Sequence, residues 1–144
     1  MDIEQQWWAA FGNSHGAEFE KARFAGDYDI LDKATQIIGV LMKLELDMHN
    51  GGFIQFFCNW GYPAYLLALE GLDKIEAAAE KNILLKAYSV IEKYADDDRI
   101  QELWDIPSIL TDEDLALLDE CDEAFYAADG VMERMLKHAP NFES

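Results

Sequence analysis

The amino-acid sequence predicts an all-α fold, a single-domain bundle of about six to seven helices. Apolar residues recur at intervals of three and four along most of the chain, which is the helical period. No segment of useful length shows the two-residue alternation of a β-strand. With 144 residues, 51% of them hydrophobic, the chain is long enough for one core but short for two. Residues 1–26 could form an N-terminal appendage to residues 27–144 of this domain.

The longest predicted helix covers residues 27–48. Asp27 is its expected N-cap, and Asn50, Gly51 and Gly52 can adopt the positive φ that ends a helix. Its apolar residues step by three and four along one face, and they are Ile30, Ala34, Ile37, Leu41, Leu44 and Met48.

A short helix follows, with four aromatic side chains at positions i, i+3, i+4 and i+7. Because they are large and share one face, that face is expected in the core; they are Phe53, Phe56, Phe57 and Trp60. Gly61 is expected to end this helix and Pro63 to lie in the first turn of the next. That next helix should reach Ile75 on an apolar face of Tyr65, Leu66, Leu69 and Leu72.

The helical period then repeats over residues 76–94 and is interrupted at residues 96–98. Residues 106–108 form a connection or a short helix. Thr111 and Asp114 resemble a capping box, so a helix should begin at Thr111. Its expected apolar side consists of Leu117, Leu118, Cys121, Ala124, Phe125 and Ala128. Gly130 should bend the chain before a last helix over residues 131–138, ended by Pro140.

The composition is strongly acidic, with 29 acidic and 11 basic residues and a formal net charge of −18. This charge disfavours direct binding to nucleic acid or to an anionic membrane. The N-terminus lacks the basic start and apolar stretch of a secretion signal, and no run approaches the roughly 18 apolar residues of a membrane span. A cytoplasmic protein is therefore expected. Cys58 and Cys121 form no CxxC pair and are expected to be small buried hydrophobes.

The negative charge is concentrated in one region. Residues 96–133 contain fourteen acids and one base, Arg99. If that excess charge shared a face of about 2,000 Å², its density would approach the roughly one charge per 100 Å² of duplex DNA. An acidic run can equally be a solvated face that keeps a protein soluble. The carboxylates predicted to bind a basic partner are Asp96, Asp97, Asp98, Glu102, Asp105, Asp112, Glu113, Asp119, Glu120 and Glu123.

A motif that spans the turn after the first predicted helix and the short aromatic helix resembles a bacterial family of small helical proteins named after DNA mimic protein nineteen. The residues that carry the resemblance are Asn50, Gly51, Gly52, Phe53, Gln55, Phe56, Phe57 and Asn59. The resemblance implies an all-helical fold and, by analogy with the namesake, an acidic dimer that occupies the DNA-binding surface of a helix-turn-helix transcription factor.

The motif residues themselves are expected to be structural. Asn50 and the two glycines should make the turn, and the three phenylalanines should fill the core. Gln55 and Asn59 should hydrogen-bond nearby backbone groups. Because fold does not transfer activity, the DNA-mimic function depends on the surface carboxylates outside the motif.

Two other functions stay open from the sequence alone. An immunity or antitoxin-like inhibitor of a basic nuclease would use the same acidic surface, with Trp104 as an anchor or packed beneath the loop. A metal-dependent hydrolase would use Glu45 and His49, whose i, i+4 spacing can bind a metal. The chain has no GxSxG motif and no glycine-rich phosphate loop, so no catalytic residue and no cofactor are expected. Trp7 and Trp8 should cover the core or the seam of a homodimer.

Overall fold

The computed structural model describes residues 1–139 and 142. Within them the chain forms eight α-helices, two short 3₁₀ helices and no β-strand, so the predicted all-α fold is confirmed. The helices are α1 (Ile3–Phe11), α2 (Ser14–Ala25), α3 (Lys33–Asn50), α4 (Gly52–Lys74), α5 (Ala78–Glu92), α6 (Ile106–Ile109), α7 (Asp112–Ala128) and α8 (Val131–His138), and the 3₁₀ helices are Tyr28–Ile30 and Leu103–Asp105. The helix count exceeds the predicted six to seven because residues 1–26 contain two helices that the sequence did not indicate.

The central helix α3 begins at Lys33, so its predicted start at Asp27 is wrong. Asp32 is the N-cap, and its side chain accepts a 2.7 Å hydrogen bond from the Thr35 backbone N–H. Asp27 caps the preceding 3₁₀ helix instead, where it accepts from the Asp29 N–H. Ile30 is 62% exposed because it precedes the helix and falls outside its apolar face. The remaining large residues predicted on that face, from Ile37 to Met48, are buried.

Helix α4 consists of two helical segments that meet at Gly61, whose φ of 76° and ψ of −170° are not helical. The predicted boundary at Gly61 and Pro63 is therefore confirmed as a kink. After Gly61 the core face of α4 consists of Ala64, Tyr65, Ala68, Gly71 and Leu72. The burial of Tyr65 and Leu72 is as predicted, but Leu66 is 46% exposed, so the prediction that it belongs to this face is wrong. Gly71 shows how closely this face approaches α3, since a Cβ there would lie 3.0 Å from the Leu41 side chain. Small residues on α4 let it approach α3 closely, and the larger Leu66 lies outside that contact.

The first two helices contribute to the same core as α3 and α4. Trp7 and Phe19 are fully buried, and the Trp7 Nε1 lies 3.1 Å from the Met135 sulfur of α8. Phe19 stacks on Tyr28, with ring centroids 4.5 Å apart. Trp8 is only partly buried and packs against the core. The structure thus places one of the two adjacent tryptophans in the interior.

Helix α7 begins as predicted. Thr111 and Asp114 form the capping box, with backbone-to-side-chain distances of 3.1 and 3.0 Å. Its buried face is centred on Leu118, Cys121 and Phe125, and Leu117 is partly buried. Ala124 and Ala128 are exposed, so the prediction that they belong to this face is wrong.

The last helix, the two cysteines and the hydropathy of the helices were also predicted from the sequence. Helix α8 follows Gly130 as expected, and Pro140 lies outside the described residues. Both cysteines are buried and free, as predicted. No helix in the described part of the chain has the length and apolar character that crossing a membrane requires.

Candidate functional site

Helix α7 exposes five carboxylates to solvent: Asp112, Glu113, Asp119, Glu120 and Glu123. With a rise of 1.5 Å per residue they extend over about 17 Å. Among the residues that the structure describes, none of the five forms an ion pair with a lysine or an arginine. The solvent face of α7 is therefore anionic and uncompensated.

The loop before α6 carries the other predicted carboxylates. Asp96, Asp98 and Glu102 are exposed. Asp97 is half-buried and pairs with Arg99, at 2.7 Å from its Nη2, and the Arg99 guanidinium lowers the pKa of Asp97 to about 2. Asp105 is also half-buried, and it accepts hydrogen bonds from two backbone N–H groups of the loop. Eight of the ten predicted carboxylates thus face solvent, and two have partners within the loop.

An ion pair between a buried carboxylate and a half-exposed lysine ties the first turn of α7 to the end of α5. The Asp114 carboxylate is buried and accepts hydrogen bonds from Lys93 Nζ, at 2.6 Å, and from the Tyr94 hydroxyl. Lys93 and Tyr94 immediately precede the acidic residues 96–98. The bond therefore brings the start of the acidic loop and the start of the anionic helix to the same end of the bundle.

The stability supplied by Asp114 is expected to depend on pH. Hydrogen bonds from Lys93, Tyr94 and the Thr111 backbone hold the pKa of Asp114 well below its usual range. A carboxylate with a lowered native-state pKa stabilises the fold above its unfolded pKa, near 4, and this contribution falls as the pH drops below that value. We therefore expect the difference in the free energy of unfolding between wild type and Asp114→Asn to be constant from about pH 5 to 8 and clearly smaller at pH 3.

Urea denaturation at each pH measures this difference. Asp112→Asn, which removes an exposed carboxylate from the same turn, is the matched control and should show little difference at any pH. If the difference in the free energy of unfolding between wild type and Asp114→Asn stayed unchanged down to pH 3, the lowered pKa of Asp114 would be contradicted.

The family motif is held together by a buried carboxylate on α3. Asp47 is 8% exposed and accepts hydrogen bonds from Trp60 Nε1 at 2.8 Å, Gln55 Nε2 at 2.9 Å and Asn59 Nδ2 at 3.4 Å. The prediction that Gln55 and Asn59 bind backbone groups is wrong, because the carboxylate, once buried, needs these donors. Asn50 Nδ2 extends the network by donating to Gln55 Oε1 at 3.1 Å.

The turn from α3 to α4 is closed by a carboxylate of α7. Asp122 Oδ1 accepts a 3.0 Å hydrogen bond from the Phe53 N–H, one of the free donors at the start of α4. Gly52 has a φ of 78°, and a Cβ on it would lie 2.3 Å from Asp122 Oδ2. Of the three residues expected to make the turn, Gly52 adopts the positive φ, whereas Gly51 has a φ of −140° and Asn50 is the last residue of α3. The predicted burial of Phe53, Phe56 and Phe57 in the core is confirmed. Burial raises the pKa of Asp122, and the Phe53 hydrogen bond opposes this effect.

Trp104 lies at the edge of the acidic loop, in the 3₁₀ helix between Glu102 and α6. Its side chain is 52% exposed, and its Nε1 donates a 3.2 Å hydrogen bond to Asn59 Oδ1 of the motif. The indole is thus fixed at one edge while part of its face stays open to solvent. This arrangement leaves Trp104 available to a partner as an aromatic anchor.

The residues that could hold a metal also lie near the C-terminal end of α3. Glu45 Oε1 and His49 Nε2 are 2.8 Å apart, and Asp129, in the turn after α7, has a ligand atom within 4.8 Å of both. The sequence indicated Glu45 and His49 but not Asp129, because a third ligand so distant in the chain leaves no spacing pattern.

The helical fold, the turn built on Asp47 and the exposed carboxylates define a class of small acidic helical proteins. A family model described as DMP19-like protein matches residues 29–140, and the chain belongs to this family. No curated protein and no solved structure matches the chain.

Proposed function

We propose that this protein is a non-enzymatic binding module that occupies the DNA-binding surface of a basic protein, such as a helix-turn-helix transcription factor. The observation that carries the proposal is the row of five exposed carboxylates on α7, which have no cationic partner among the described residues. Membership of the DMP19-like family is compatible with it.

The charge spacing on α7 supports mimicry of DNA over a general acidic coat. Five carboxylates over about 17 Å give about one charge per 3–4 Å of helix axis. One strand of B-DNA carries one phosphate per 3.4 Å of axis. A row of Lys and Arg side chains arranged to neutralise a phosphate strand could therefore meet α7 with a similar density of ion pairs.

The exposed carboxylates of the acidic loop extend this surface, and Trp104 supplies an aromatic group beside it. Charge complementarity accelerates the encounter and makes binding sensitive to salt, while an aromatic anchor adds specificity. A net charge of −18 makes nucleic acids and anionic membranes poor partners. A homodimer, as in the family's namesake, would present two such surfaces, and light scattering on the purified protein tests it.

Neutralising the anionic line of α7 is expected to weaken capture of basic partners by about tenfold or more. The test variant combines Asp112→Asn, Asp119→Asn and Glu123→Gln. The matched control combines Glu4→Gln, Asp29→Asn and Glu133→Gln, which removes the same charge from exposed positions outside the proposed surface. Wild type, the test variant and the control variant are each immobilised and exposed to bacterial lysate at low and high salt. The captured proteins are identified by mass spectrometry.

For wild type we expect basic DNA-binding proteins at low salt and much weaker capture at high salt. A captured protein should also lose its affinity for DNA when wild type is added. Capture of a basic nuclease, inhibited by wild type, would instead support the immunity or antitoxin-like function through the same surface. Equal capture by wild type and the α7 variant would overturn the proposal.

A further inference from the structure

A cluster of ionisable side chains, separate from the proposed binding surface, lies where α3, α5 and the turn after α7 meet. Glu45 and His49 are one turn apart on α3, and Asp129 occupies the turn between α7 and α8. Each residue offers one ligand atom, and all three atoms lie within 4.8 Å of one another. In a tetrahedral zinc site with ligand distances near 2.1 Å, neighbouring ligand atoms are about 3.4 Å apart. Small side-chain movements would suffice to reach that geometry.

A second, independent observation comes from Glu80 in the first turn of α5. Glu80 is 3% exposed, and its Oε2 atom is buried without a hydrogen-bond partner. A Cβ on Gly130, the residue after Asp129, would lie 2.9 Å from this oxygen. The unpartnered oxygen therefore faces the turn that carries Asp129. A buried carboxylate oxygen without a donor is unfavourable, and a cation would satisfy it.

The surrounding charges point the same way. Three carboxylates, those of Glu45, Glu80 and Asp129, lie close enough together to interact electrostatically. In the described part of the chain, no lysine or arginine nitrogen lies within 4.0 Å of these three carboxylates. Arg134 also lies beside Gly130, with its Nε 3.3 Å from a Cβ built there, and its Nη1 donates to the Glu76 carbonyl at 2.8 Å.

We propose that Glu45, His49 and Asp129 bind one divalent transition-metal cation, next to the unpartnered Glu80 carboxylate, whose negative charge would favour the ion. One imidazole nitrogen with carboxylate oxygens favours Zn²⁺ and similar ions, whereas Mg²⁺ and Ca²⁺ prefer oxygen ligands alone. The bound ion would join the end of α7 to α3. Its role would be to fix the helix that displays the anionic surface.

Zinc binding by the full chain, after removal of any histidine tag, tests this site. Isothermal titration with ZnCl₂ at physiological salt and millimolar Mg²⁺, which occupies weak acidic sites, should give one Zn²⁺ per chain. The midpoint of thermal unfolding should rise with Zn²⁺, because the ligand binds the folded chain. The His49 imidazole nitrogens should shift in NMR spectra on addition of Zn²⁺.

Asp129→Asn is the main test variant because asparagine tolerates the left-handed backbone found at Asp129, where φ is 37°. It should fold as wild type does and bind Zn²⁺ about tenfold or more weakly. Asp119→Asn removes the same charge from the exposed face of α7 and should bind Zn²⁺ as wild type does. No Zn²⁺ binding by wild type, or equal binding by wild type and Asp129→Asn, would overturn the proposal.

Discussion

Replacing Asp47 by alanine is expected to lower the free energy of unfolding by about 3–5 kcal/mol. The carboxylate accepts hydrogen bonds from Gln55, Asn59 and Trp60, and it is almost completely buried. Its removal leaves these donors without their acceptor, and hydrogen bonds to a charged group contribute more than neutral ones. Because α3 and α4 form the most extensive helix contact of the fold, the loss should affect global unfolding. Urea denaturation followed by circular dichroism measures it.

Asp73→Ala is the matched control, since it removes an exposed aspartate whose carboxylate pairs with Lys81. It should change the free energy of unfolding by at most about 1 kcal/mol. If Asp47→Ala were no more destabilising than Asp73→Ala, the Asp47 network would not be the structural centre of the family motif.

The second large effect is expected for Gly52→Ala, which should lower the free energy of unfolding by about 2–4 kcal/mol. Part of the loss is the strain of a non-glycine residue at a φ of 78°. The other part arises because the new Cβ would meet the Asp122 carboxylate and displace the cap from the Phe53 N–H. Thermal and urea unfolding of the purified variant measure the total.

Two further variants separate these contributions. Gly26→Ala places alanine at a similar φ, 76°, with no atom within 4 Å of the new Cβ, so it should show the strain alone, about 1 kcal/mol. An Asp122→Ala background lacks the carboxylate that the new Cβ would meet. In that background Gly52→Ala should lower the free energy of unfolding by about as much as Gly26→Ala does. Equal losses for Gly52→Ala and Gly26→Ala in the wild-type background would show that Asp122 does not constrain the turn.

The family motif positions α7, because it bonds to a side chain of that helix. Asp122 of α7 caps the turn, while its neighbours Asp119 and Glu123 remain exposed to solvent. Tyr126 adds a second attachment, since its hydroxyl donates to the Met48 carbonyl of α3. A shared motif in this family therefore supports the fold and the placement of α7, while binding depends on which acidic side chains α7 carries outward.

Signals that act over a few residues were readable in the sequence. The capping box of Thr111 and Asp114 and the kink at Gly61 depend on neighbours within one turn, and both were predicted. The start of α3 was misplaced because Asp27 and Asp32 are equally good caps by residue type. Gln36 favours the later start, since its Nε2 binds the Tyr28 and Leu31 carbonyls at 2.9 and 3.1 Å and holds the preceding segment in another conformation.

The sequence by itself determined an all-helical chain, the position of most helix ends and a concentration of acids after residue 95. Tertiary structure alone decided which carboxylates are exposed on the surface and which are engaged in the fold. Asp114 and Asp122 lie within the same acidic run as Asp119 and Glu123, yet the first two are bonded to groups 21 and 69 residues away. Carboxylates are chemically alike along a chain, so burial and the donors brought by distant helices are what distinguish them.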